Sequence, residues 1–112
     1  LEICTNMQKK YEAKYFLSKG KCMMNFNRFK NKESVLELVN ELYMAGSKIV
    51  YVTGIYQYVS DDEMYADRML IQLPEETDKR LQIFQICNKE IESEGFEAVK
   101  DTGQETLELC WD

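Results

Sequence analysis

An α+β fold is what this 112-residue sequence predicts, on three observations. Two stretches repeat apolar residues at helical spacing and end in glycine. Others alternate β-branched, aromatic and polar residues as half-buried strands do. The two kinds interleave along the chain, with no linker or repeat to divide it. A single domain over residues 1–112 is therefore expected, since two halves would each be too small to bury a useful core.

The elements follow in order. Ile3, Met7, Tyr11 and Tyr15 recur every fourth residue with lysines between them, which predicts an appended N-terminal helix over 1–20. The rest, 21–112, forms the core of the predicted domain. "KCMMNFNRF" sets Cys22, Met24 and Phe26 against Met23, Asn25 and Asn27 as a first strand. A helix comes next, with Asn31 as its cap, Val35, Leu38, Val39 and Leu42 as its apolar face and Gly46 as its stop. "SKIVYVTGIYQYV", with Gly54 as a bulge or bend, and "MYADRMLIQL" then form a hairpin about the acidic "SDDE". After Pro74 a second helix opens in "EETDKR", where early acids suit the helix dipole. Leu81, Phe84, Asn88 and Ile91 mark its stripe, widened by Ile83, Ile86 and Cys87, and Gly95 ends it. The final segment turns at Asp101–Gly103, with "FEAV" as a fifth strand across the turn. Its closing strand puts Leu107, Leu109 and Trp111 on one side.

Strand-helix-strand-strand-helix-strand is the split β-α-β order of the ferredoxin-like fold. Right-handed crossovers then lay both helices on one face of a four- to five-stranded antiparallel sheet. The other face, carrying Met23, Tyr51 or Tyr56, Tyr58 and Leu70, stays open unless the N-terminal helix or another chain covers it. A homodimer through that face is one way to close it.

Charge narrows the chemistry. Residues 1–32 hold eight Lys/Arg against two acids, while residues 33–112 hold six against eighteen, for a net −6. A body this acidic repels phosphate backbones and argues against nucleic acid as a partner. The basic first third is expected to lie against the acidic body of its own chain. The sequence has no histidine, which removes Ser-His-Asp and Cys-His catalysis and most zinc sites. Phosphate-loop motifs are absent as well. No apolar run is long enough to span a membrane. Cys4, Cys22, Cys87 and Cys110 are scattered without a C-x-x-C pair, and they read as reduced thiols in a cytoplasmic protein. Cys87 and Cys110 sit in apolar contexts, as small core residues do.

Two candidate sites remain. Asp61, Asp62 and Glu63 at the hairpin tip, flanked by Tyr56, Tyr58 and Tyr65, combine charge with large amphipathic rings. Consecutive carboxylates on a short loop do not converge on one ion, so a partner protein is expected there and no metal or other cofactor. Asp67 shares the predicted core face of its strand with Tyr65, Met69, Ile71 and Leu73, which makes it a candidate buried functional carboxylate. The expected function is a small acidic, non-catalytic module of inhibitor, immunity or regulatory kind that meets a basic protein surface. The alternatives are a ferredoxin-like small-ligand or sensory domain and an enzyme working through Asp67 with Tyr65 or Arg68.

Overall fold

The structure is a computed structural model that describes residues 3–6, 9–24, 28–58 and 63–111, with the side chains of 3–6 and 58 outside that description. Its elements are β1 (Ile3–Asn6), β2 (Tyr11–Glu12), α1 (Ala13–Leu17), β3 (Cys22–Met24), α2 (Lys32–Met44), β4 (Ile49–Tyr58), β5 (Met64–Gln72), α3 (Thr77–Ser93) and β6 (Thr106–Cys110). The α+β class holds. The β4–β5 hairpin is the spine of one mixed sheet. β1 and β2 pair in tandem along the outer edge of β4, and β3 and β6 pair in tandem along the outer edge of β5. All neighbours are antiparallel except β3 and β5.

This pairing corrects the expected antiparallel ferredoxin-like sheet. A split β-α-β unit makes the strand before a helix parallel to the strand after it, with another strand between them. Here β3 runs parallel to β5 and so opposite to β4, while β5 and β6 are adjacent and antiparallel. The reason lies in strand length. β3 covers only Met64–Ala66 of β5 and leaves the edge groups of Arg68–Gln72 for β6. The expected fifth strand at "FEAV" is not formed, because residues 96–105 fold back along α3 instead.

The N-terminal helix over 1–20 shrinks to Ala13–Leu17. A spacing of four fits a period of two as well as a helix, and the ten-residue β4 offers an unpaired edge. β1 and β2 take that edge. Met7, part of the expected stripe, lies outside the described residues. Tyr15 is 55% exposed, and Ala13, Phe16 and Leu17 are buried in its place.

The helices of the core follow the sequence more closely. Asn31 caps α2 by accepting the Ser34 N–H at 2.9 Å, and Val35, Leu38, Val39 and Leu42 are all buried. On α3 the buried face is Ile83, Phe84, Cys87 and Glu90, rotated from the expected stripe, and Leu81 is exposed.

One core gathers residues from both ends of the hairpin. The buried positions run Val50, Val52, Ile55 on β4 and Ile71, Met69, Ala66 on β5, so each strand steps by three at one point. That point is Gly54 opposite Asp67. Pairing is continuous on both sides, at Thr53↔Arg68 and Ile55↔Ala66. Gly54 adopts φ +66, and a Cβ there would overlap the Asp67 carboxylate. The two strands thus exchange faces together without losing register.

Where β2 gives way to α1, the edge of β4 is completed by a side chain. The Tyr43 hydroxyl accepts the Val50 N–H at 3.1 Å and donates to Glu12 Oε2 at 2.6 Å. Glu12 Oε1 in turn caps α1 by accepting the Tyr15 N–H at 2.7 Å. Partial burial works against the Glu12 carboxylate, but the Tyr43 and Tyr15 hydrogen bonds outweigh it and hold its pKa below the ordinary value.

Two outcomes follow. Gly54→Ala should lower stability by about 1–3 kcal/mol in urea titration, and Asp67→Ala in the same chain should recover part of that loss. A depressed carboxylate stabilises above its unfolded pKa and loses that contribution as pH falls through the folded value. Acidification from pH 6 to pH 3 should therefore cost wild-type more stability than Tyr43→Phe, measured by urea midpoints at both pH values.

Candidate protein-binding site

The structure brings together part of the expected hairpin site. Tyr56 and Tyr65 form a cross-strand pair with stacked rings 5.6 Å apart. The Tyr65 hydroxyl donates to Glu63 Oε2 at 2.6 Å, which aims that exposed carboxylate back along the strand. Tyr65 is 7% exposed, so its ring is packing rather than free surface. Tyr58 pairs through its backbone with Ile3, while its side chain, like Asp61 and Asp62, lies outside the described residues.

Asp67 is half-buried, with Oδ1 3.6 Å from Arg68 Nε, and its backbone carbonyl accepts the Trp111 N–H at 3.0 Å. Its carboxylate fills the space that Gly54 leaves open.

A second site escapes the sequence reading. Between α3, the segment after it and β6 lies an apolar cleft of about 370 Å³. Ile91, Leu109 and Trp111 form its floor, and Phe96 and Val99 its lip. Phe96 is 64% exposed, a large cost in water for a phenyl ring. Glu94, Glu97 and Glu108 rim the cleft, and no lysine or arginine among the described residues lines it.

The lip is held by side chains from α3. Gly95 reverses the chain with φ +88, and the Phe96 N–H bonds the Ile91 carbonyl. Asn88 then grips Val99 at both ends: Nδ2 donates to the Val99 carbonyl at 3.0 Å, and Oδ1 accepts the Val99 N–H at 2.8 Å. Eight residues earlier Arg80 makes a two-pronged bond to Asp101, at 3.0 and 2.6 Å, and also donates to the Gln104 carbonyl. The sequence places Asn88 in the helical stripe with Leu81, Phe84 and Ile91. A polar residue at such a position is the one signal that pointed to this clamp.

Glu90 anchors the inner wall. Its carboxylate takes Arg28 Nε and Nη2 at 2.8 and 3.0 Å with only 10% of its side chain exposed. The basic N-terminal third meets the acidic body at this pair. Lys10, Lys14 and Lys19 instead sit over the rings of Tyr51, Tyr43 and Tyr15.

Cys87 is buried as expected, and burial pushes its thiol up to about 12. Cys110, expected in the core, is exposed instead, because it falls on the opposite face of β6 from Leu109. Loss of solvation and the Glu108 carboxylate 3.4 Å away raise its thiol to about 11. Among the described residues, no group of three or more His, Cys, Asp or Glu is placed to hold a metal ion, and no helix is long and apolar enough to cross a membrane.

At pH 7.5, Cys110 should react with iodoacetamide about 100-fold more slowly than an unperturbed thiol, because thiolate falls tenfold per pKa unit. Glu108→Gln should raise that rate, read peptide by peptide in mass spectrometry.

Set against known proteins, the chain matches no family model, no curated protein and no solved structure.

Proposed function

We propose that this chain is a non-catalytic protein-binding module of inhibitor, immunity or regulatory kind, and that it engages a basic partner surface through the α3–β6 cleft. The observation that carries the reading is an exposed apolar lip, Phe96 and Val99, over an apolar floor within a ring of carboxylates. Interfaces of this type place aromatic anchors at the centre and charge at the rim. The anchors supply affinity, while the rim supplies partner choice and speeds encounter with a cationic surface. Glu63 and Tyr56 at the hairpin form a secondary contact in this reading. The free thiols of Cys22, Cys87 and Cys110 suit a cytoplasmic setting.

A second reading draws on the cleft volume, which falls within the range of small-molecule sites. On that reading an amphipathic amine would bind the floor and rim, and the chain would be a sensory domain.

Selection from a random displayed-peptide library separates the two. The protein-binding reading expects enrichment of sequences that combine Lys/Arg with large apolar residues, and loss of that enrichment in the Glu94→Gln, Glu97→Gln, Glu108→Gln variant. Unbiased or acidic selectants would overturn it. A thermal shift with small amphipathic amines and no peptide enrichment would establish the sensory reading instead.

A further inference from the structure

β6 is an edge strand, and its hydrogen-bonding pattern shows which groups are left over. The Leu73 N–H donates to the Glu105 carbonyl at 2.8 Å, and the Trp111 N–H donates to the Asp67 carbonyl at 3.0 Å. Residues of that parity therefore point their backbone groups toward β5. In an antiparallel ladder the alternate residues, Thr106, Glu108 and Cys110, turn theirs the other way. Among the described residues no strand occupies that outer edge.

The cleft runs along the same edge. Leu109 belongs to the buried face of β6, Glu108 and Cys110 belong to the opposite face, and all three line it. An occupant beside the strand, in the plane of the sheet, meets both faces at once.

We infer that the cleft takes an extended segment of a partner protein as an added strand on β6, and that this segment alternates apolar with Lys or Arg residues. Strand side chains alternate faces. One set of the added strand reaches α3 and the turn after it, where Ile91 and Phe96 offer apolar surface. The other set lies on the face of Glu108, which takes a cross-strand cation. Glu94 and Glu97 favour further positive charge at the α3 end of the cleft. The same carboxylates argue against a second copy of this chain, since antiparallel β6–β6 pairing would oppose acidic rims and bring like charges together. Backbone pairing gives affinity to such additions, and the alternate side chains give specificity.

The inference rests on the basic-partner reading and adds a binding mode, so the test uses two probes. One is a short peptide of alternating valine and lysine. The other is the same peptide with N-methyl groups on the residues that would face β6. Trp111, the only tryptophan in the chain, lines the cleft and reports binding by fluorescence. Hydrogen exchange reads the Thr106, Glu108 and Cys110 amides. The expected result is salt-sensitive binding of the first peptide with protection of those amides, and binding at least about tenfold weaker for the methylated one. Equal binding of both, still weakened by Glu94→Gln, Glu97→Gln and Glu108→Gln, would overturn strand addition and leave the basic-partner reading standing. Binding of neither peptide, or binding indifferent to those substitutions, would overturn both. Sedimentation of the free chain as a dimer, with protected β6 amides and no peptide present, would make a second copy the occupant and overturn the inference.

Discussion

Gly54 in a left-handed conformation, pressed against the Asp67 carboxylate, is the constraint on which the remaining packing depends. A regular hairpin would send the side chains of one parity to one face along its whole length. Val50, Val52, Met69 and Ile71 would then be buried while Ile55 and Ala66 faced water. The paired irregularity reverses that assignment halfway, so both halves of the spine turn apolar side chains inward. All of these residues join a single core. A compensating change on both strands keeps the hydrogen-bond ladder in register, which a bulge on one strand alone does not do.

Charge is also unevenly placed over the molecule. The basic N-terminal segment lies on the β2–α1 side, where its lysines sit over tyrosine rings, and the carboxylates collect around α3 and β6. Arg28 crosses between the two regions and neutralises the most buried of the cleft glutamates. That leaves the solvent-facing acids to define the rim. A buried carboxylate held bidentately by arginine projects little charge outward, so it works as a fastener while its neighbours set the field.

The sequence was legible wherever a residue's role is local. The Asn31 cap, the four-residue face of α2, the hairpin and the apolar side of β6 each depend on neighbours within a few positions. Strand order was not legible, because it depends on how much of β5 the three residues of β3 leave uncovered. The N-terminal segment differs from its pattern for a related reason: a spacing of four satisfies both periods, and the open edge of β4 decides between them. The α3–β6 cleft lay beyond reach for a third reason. Much of its lip and floor is separated in sequence, and Asn88 and Arg80 hold the intervening chain that brings them together. Asp67 drew notice as a carboxylate on an apolar strand face, and its relation to Gly54 across the sheet accounts for it.

The hold of Asn88 and Arg80 on the returning segment has a consequence for how this surface can change. Both grips act on the lip's backbone or beyond it: Asn88 binds only main-chain atoms of Val99, and Arg80 binds Asp101 and Gln104. Among the described residues, the side chains at 96, 97, 99 and 100 make no hydrogen bond or ion pair that anchors their own loop. They form an exchangeable cassette on a fixed mount, free to vary in size and charge while the helix beneath keeps its place. Variation at this surface and retention of the loop's path are thus assigned to different atoms of the same few residues.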